Sequence, residues 1–393
     1  MKLNSIKNAK VKGQTVLVRV DYNVPIENGK VMDDSRIVES LPTLEYLLKE
    51  GAKVIVMSHL GRPEGEVVEE LMLNPVAVRL GELLKKEVIK VDDCVGEEVE
   101  GAVKALGEGS ILMLENTRFN EGEKSNDHEF AKQLASYADL YVSDAFGTAH
   151  RAHASTEGVA QLLPSYAGFL IEKEVKALTP LLGDVEGPFV LLLGGAKIDT
   201  KIGVIKAYLE KADKILLGGG LANTFVAAEG YNVGESLYEP DKLEVAREIM
   251  LEAEKQSCEI VLPGGFIVAD EVGDNVLTAD MEITGVEANM KMLDIGVKTL
   301  YKYLDILQEA KVIIWNGPVG LYEKTPFSRG TREIADALQN VKGKTYIGGG
   351  DTLSALTHFG FDRDKYTHVS TGGGAMLEFL EGKELPGLKV LVG

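Results

Sequence analysis

Short β-branched runs alternate with longer amphipathic stretches along this chain. TVLVRV (15–20), KVIVMS (53–58), EVIKV (87–91), SILMLE (110–115) and DLYVSD (139–144) read as strands in the first half. PFVLLL (188–193), DKILL (213–217), EIVLP (259–263), VIIWN (312–316), KTYI (344–347) and HVST (368–371) do so in the second. Many of these runs are apolar on both faces, as parallel strands covered by helices must be. Between them HEFAKQLASYAD (128–139), TKIGVIKAYLEKAD (200–213), DKLEVAREIMLEAEKQ (241–256) and DIGVKTLYKYLDILQEA (294–310) carry a helical period. The alternation predicts an α/β protein with a doubly wound parallel sheet in each half. The segment LLPSYAGFLIEKEVKAL (162–178), a Pro-containing turn leading into a charged helical stretch, marks the boundary. In such sheets ligands bind beyond the carboxyl ends of the strands, so the residues after each run are where chemistry is expected.

A length of 393 residues exceeds one ordinary core and fits two domains of about 200 residues. The formal net charge of −19 repels nucleic acid and anionic membrane, which excludes both as partners, and makes any cluster of cations locally meaningful. Cys94 and Cys258 show no metal-type or redox spacing, as expected in a reducing compartment. The N-terminal segment lacks a signal-type apolar core, and no apolar run reaches the ~18–20 residues of a membrane helix. The expectation is a cytoplasmic protein.

The two halves place different groups after their strands. In the first half come Asp21 and Asn23, then Arg36; His59 and Arg62; Arg118; and Arg151. A guanidinium presents a planar fork that pairs bidentately with phosphate or carboxylate. One such arginine is ordinarily a surface group paired with a nearby acid. Several at strand ends of so acidic a chain point instead to a small, highly charged anion. Asp21 and Asn23 suit a substrate hydroxyl or, equally, a turn.

In the second half five glycine clusters close apolar runs: Gly194-Gly195, Gly218-Gly219-Gly220, Gly264-Gly265, Gly348-Gly349-Gly350 and Gly372-Gly373-Gly374. No Gly-Gly pair precedes them. Bare backbone amides at a helix start accept phosphate. Lys197 and Lys201, four apart, are expected on one face of the first turns of a helix, where their charges oppose each other and the dipole unless an anion is bound. Asp351 suits Mg²⁺, which takes one or two carboxylates plus phosphate oxygens, or else a plain helix cap. Trp315-Asn316-Gly317-Pro318, with Glu323 beyond, reads as a shaped loop at the nucleoside. There is no G-x-x-x-x-G-K-[ST] loop and no spaced dinucleotide fingerprint, which disfavours a Walker-type site and a nicotinamide-dependent dehydrogenase.

In order along the chain, VRVDYNVP, DDSRI, SHLGRP, ENTRF, SDAFGTAHRAHAS, LLGGAKIDTKI, IIWNGPVG, IGGGDT and STGGGA resemble the phosphoglycerate kinase family. The resemblance implies two Rossmann-like domains joined by a hinge, at 1–168 and 172–376, with the tail 377–393 packing back on the first. It implies 3-phosphoglycerate, or 1,3-bisphosphoglycerate, on Asp21, Asn23, Arg36, His59, Arg62, Arg118 and Arg151. It implies Mg²⁺ with ATP or ADP near Lys201, Glu323, Gly349, Gly350, Asp351 and Thr352, the metal at Asp351. Arg36, Lys197 and Lys201, helped by the amides of Gly372 and Gly373, are the groups expected to neutralise the transferring phosphoryl. A monomer is implied. Two departures stand out: Tyr22 where Phe is usual, and Asp199, between the two lysines, where Ser is usual. A scaffold that has lost turnover is disfavoured by the joint presence of Arg36, Lys197, Lys201 and Asp351.

Overall fold

The computed structural model describes residues 1–393. Its contacts form two compact units, Met1–Thr179 with Glu384–Gly393, and Pro180–Lys383. In the first unit a six-stranded sheet runs in the order Val88–Lys90, Ile111–Met113, Lys53–Met57, Thr15–Val20, Leu140–Asp144, Ser165–Ala167, with every pairing parallel. Thr15–Val20 lies centrally, with Val16 opposite Val54 on one side and Leu140 on the other. Its residues from Val16 on are buried, which is why the run is apolar on both faces except at Arg19. Helix Ser35–Lys49 lays Ile37, Leu44 and Leu47 in one core with Val16, Val18, Val54 and Val56, and its buried positions recur every three or four residues. The Tyr22 hydroxyl has a buried partner in Ser40 Oγ at 2.6 Å, so this departure is accommodated within the core.

Ser165–Ala167 is a strand, paired with Leu140–Asp144, inside the segment read above as a connector. Two half-buried residues and one buried one behind a proline carry no measurable period, so the sequence hid it. Helix Phe169–Leu178 follows. The final residues close the unit: Asn4 N donates to Leu391 O at 2.8 Å and Gly387 N to Ala149 O at 2.9 Å, with Leu385, Leu388 and Leu391 buried.

In the second unit the sheet order is Glu259–Val261, Lys214–Leu217, Phe189–Leu193, Val312–Asn316, Lys344–Gly348, His368–Val369, again all parallel. Trp315, Leu192, Leu216 and Ile313 pack with Tyr303, Leu307 and Ile334 from the covering helices. A separate antiparallel sheet, Gly265–Ala269 between Ala279–Glu282 and Lys291–Ile295, was absent from the expected strands. Its outer strand Ala279–Glu282 is mostly exposed and rich in acids, which masked it, and Gly264-Gly265 thus opens a strand instead of cradling an anion. Helix Val297–Glu309 starts only after the strand Lys291–Ile295 has consumed the front of its expected segment.

One correction bears on the chemistry. The helix after Gly194-Gly195 begins at Ile202 and ends at Tyr208, with Lys201 as its cap residue. Lys197 therefore lies in the preceding loop, and the two lysines share no helix face. No helix is long and apolar enough to cross a membrane.

Candidate functional site

In the first unit the ends of adjacent strands converge. Thr15–Val20 delivers Asp21 and Asn23, Lys53–Met57 delivers His59 and Arg62, Ile111–Met113 delivers Arg118, and Leu140–Asp144 delivers Arg151. Asp21 forms a close ion pair with Arg36 NH1 and lies 3.7 Å from His59 Nδ1. Asn23 Oδ1 accepts from Gly61 N at 2.9 Å, so this side chain positions the 59–62 loop. Asn116 Oδ1 accepts from Leu60 N and from Arg118 N, both at 3.1 Å, and Arg118 NH1 donates to Gly61 O at 2.6 Å. Arg62 is exposed at the tip of that loop, and Arg151 Nε donates to His150 Nε2 at 3.1 Å.

Beneath this cluster sits Arg19, fully buried and not anticipated from the sequence. Its Nε donates to Ser155 Oγ at 2.8 Å and its NH2 to His59 Nδ1 at 3.2 Å. An arginine can only donate, so His59 Nδ1 is the acceptor and a neutral ring carries its proton on Nε2. Ser155 Oγ donates in turn to the wholly buried Glu123 at 2.6 Å, and Glu123 also accepts from Ser155 N at 3.0 Å and Thr117 Oγ1 at 3.2 Å. The signal that could have found Arg19 is a charge within a run of β-branched residues, since a charged side chain is seldom fully buried without a role.

The acid–base properties of the cluster point one way. Burial drives His59 well below its ordinary value, and Arg19, Arg118 and Arg151 push it further against the opposing Asp21. His150 and His153 fall to about 4, first by burial and then through neighbouring cations. Arg118 is lowered to about 10 by burial, then by Arg151 and Arg19. For Asp21 burial alone would raise the value, but Arg36, His59 and Arg19 outweigh it. Arg118 Nε is buried without a hydrogen-bond partner. Beyond burial, Arg19 and Arg151 act together on Arg118, with Glu123 and Asp21 the opposing carboxylates, and such a concentration of guanidinium groups suits a multiply charged anion.

In the second unit the loops after Phe189–Leu193 and Val312–Asn316 cross in backbone contact. Gly194 N donates to Asn316 O at 3.0 Å, Gly195 N to Pro318 O at 2.8 Å and Gly219 N to Val319 O at 2.9 Å. A Cβ on Gly194 would lie 2.1 Å from Pro318 O, so no other residue fits there. The crossing walls a cavity of about 210 Å³, with Gly195, Gly219, Gly220 and Pro318 in its walls and Leu237, Met292 and Leu321 among its apolar lining. Glu323 and Asp351 supply its carboxylates. A largely apolar cavity bordered by carboxylates suits a purine with its ribose.

Lys201 is buried, and its Nζ donates to Asn316 Oδ1 in a close contact, while Asn316 Nδ2 is buried without a partner. Burial lowers Lys201 to about 8, with Asp351 opposing. Gly349, at φ +97°, caps helix Gly350–His358 and lies against the Asn316 amide. Asp351 is exposed in the first turn of that helix. Thr352 is wholly buried, and its Oγ1 accepts from Gly317 N at 2.7 Å, so it shapes the 316–318 loop from behind. Gly372 N donates to Ser370 Oγ at 3.0 Å, and Gly373, at φ +54°, precedes helix Gly374–Leu380. Lys197 is exposed. Asp199, expected to sit between the lysines, instead pairs with Lys242 at 2.8 Å. Nowhere do three or more His, Cys, Asp or Glu gather as a metal site. A lone exposed carboxylate such as Asp351 fits a cation carried mainly by phosphate oxygens.

The model of the phosphoglycerate kinase family matches residues 6–383. A phosphoglycerate kinase of Dictyoglomus turgidum is 51% identical over 387 residues, covering 98% of this chain and 97% of that protein. The structure is similar to that of phosphoglycerate kinase from Coxiella burnetii, with TM-score 0.85 and 41% identity over 99% of this chain and 98% of the other. It is also similar to the crystal structure of phosphoglycerate kinase from Pyrococcus horikoshii OT3, with TM-score 0.88 and 32% identity over 99% and 98% of the two chains. The chain therefore belongs to the phosphoglycerate kinase family, the phosphotransferases that reversibly move a phosphoryl group between ATP and the carboxylate of 3-phospho-D-glycerate, giving ADP and 1,3-bisphosphoglycerate in glycolysis.

Proposed function

We propose that the first unit binds 3-phosphoglycerate through Asp21, Asn23, Arg36, His59, Arg62, Arg118 and Arg151, and that the second binds the nucleotide. The carrying observation is the gathering of His59, Arg118 and Arg151 at the ends of neighbouring strands beside the Asp21–Arg36 pair, with Arg118 Nε buried and without a hydrogen-bond partner. Arg36 is held on one side by Asp21, which leaves the other N–H groups of its fork for a ligand. His59 serves as a neutral donor, oriented by Arg19.

On the nucleotide side, the glycine-walled cavity takes adenosine and Glu323 lies where it can meet the ribose. Lys201, the Asn316 amide and the amides at Gly349 and Gly350 are offered to phosphates, with Thr352 holding the loop behind them. Asp351 would hold Mg²⁺, which when bound neutralises phosphate charge and orients the chain of phosphates.

The nucleophile is the carboxylate of the acid, ionised at neutral pH, so no general base is required. Transfer then depends on positioning and on neutralising charge at the moving phosphoryl. Arg36, Lys197 and Lys201 supply that neutralisation, with Gly373 N and, once released from Ser370, Gly372 N. The reaction requires acceptor carboxylate and phosphoryl group to meet in line with water excluded. The family resemblance supports a monomer that works in the cytoplasm.

Arg36→Ala and Lys197→Ala are expected to lower kcat by about 10²–10⁴-fold, the scale of a lost charge-stabilising donor, with folding intact. A coupled assay of ADP formation from ATP and 3-phosphoglycerate on purified variants checks this. Unchanged turnover in either variant would overturn its assignment.

A further inference from the structure

The loop that presents Lys197 and Lys201 carries one carboxylate, Asp199, two residues from each. Asp199 Oδ1 pairs with Lys242 Nζ at 2.8 Å. Lys242 ends the short turn Pro240–Lys242 ahead of helix Leu243–Lys255. Next to that turn, the Glu239 carboxylate accepts from Ile198 N in a close hydrogen bond, so a second side chain ties the two segments together. Lys242 is also 3.8 Å from Asp241. Asp199 and Asp241 thus share a single cation, and Glu239 adds a further negative charge to its surroundings.

We propose that Lys242 is a positioning residue for phosphoryl transfer: it holds the Asp199 carboxylate away from Lys197, so that this ammonium stays available to the phosphoryl oxygens. The inference rests on the reading of Lys197 given above. Lys201 is buried and engaged with Asn316, so it is shielded from Asp199. Lys197 is exposed in the loop, and a released carboxylate two residues away can reach it. That internal ion pair competes with the phosphate and cancels the field that stabilises the transferring group.

The test uses the full-length enzyme with Lys242→Ala, Asp199→Asn and the double substitution, each checked for unchanged thermal unfolding. Lys242→Ala is expected to lower kcat about tenfold while KM for 3-phosphoglycerate stays within about twofold. Asp199→Asn alone is expected at the wild-type rate, and the double variant is expected to recover it, because removing the carboxylate removes the need for its partner. The proposal is overturned by a normal rate in Lys242→Ala, by a double variant as slow as Lys242→Ala, or by a slow Asp199→Asn. Lys197→Ala separates the two levels. If it is inactive while Lys242→Ala is normal, only this inference fails; if it turns over normally, the reading of Lys197 fails first.

Discussion

At the scale of single residues, the proposed chemistry calls on cations kept in places that disfavour charge. Lys201 is the clearest case, since burial lowers it to about 8 and Asp351 only partly restores it. The ammonium form is present below that value and is lost as pH rises through it. In the free enzyme, kcat/KM for ATP is therefore expected to fall above about pH 8. Lys201→Arg keeps its charge throughout that range, so the alkaline limb should disappear even if the absolute rate drops. A pH–rate profile showing the same limb in both proteins would exclude Lys201 as its source. Tyr22 is the complementary case. Its hydroxyl is buried, yet Ser40 Oγ at 2.6 Å satisfies it, so a departure from the usual Phe costs the core little.

At the scale of elements, buried carboxylates near strand ends tie those strands to the first turns of helices further along the chain. Asp144 closes strand Leu140–Asp144, and its Oδ1 accepts from Leu170 N, at the start of helix Phe169–Leu178, at 2.9 Å. Asp294 does the same for Gly330 N at 2.8 Å in the second unit. Burial raises both to about 7. An unfolded aspartate titrates near ~4, so the folded state binds more protons between about 4 and about 7. This contribution to stability is complete below the unfolded value and is lost as pH rises through the folded one. Asp144→Asn is uncharged throughout. It should flatten part of the decline in Tm across that window, with Asp294 keeping the remainder. Superimposable Tm–pH curves for the variant and the wild type would refute the assignment.

At the scale of the whole molecule, the chain leaves its first unit at Thr179 and returns to it at Glu384. The returning segment buries Leu385, Leu388 and Leu391 and bonds to Asn4 and Ala149. Each buried leucine is worth about 2–5 kcal/mol when truncated, so the segment is an integral part of that core. Ending the chain at Lys383 should lower the unfolding temperature of the first unit and weaken 3-phosphoglycerate binding. Nucleotide binding by the intact second unit should persist. Differential scanning and titration calorimetry read both, and full 3-phosphoglycerate affinity at an unaltered Tm would contradict the expectation.

What the sequence determined by itself follows from local rules. Strands apolar on both faces, such as FVLLL, must be buried and parallel, and arginines or glycines directly after strands mark the ligand ends of the sheets. Those rules act over a few residues, so the parallel α/β architecture and most candidate residues could be read directly. Only the tertiary structure decided which groups meet. The joining of Arg19 to Ser155 spans 136 residues and that of Lys201 to Asn316 spans 115, separations that no periodicity encodes. The Asp199–Lys242 pair likewise arises from packing of the 197–201 loop against the Pro240–Lys242 turn. The edge strands Ser165–Ala167 and Ala279–Glu282 were hidden because short, partly exposed segments need no apolar pattern; their backbone partners alone make them strands.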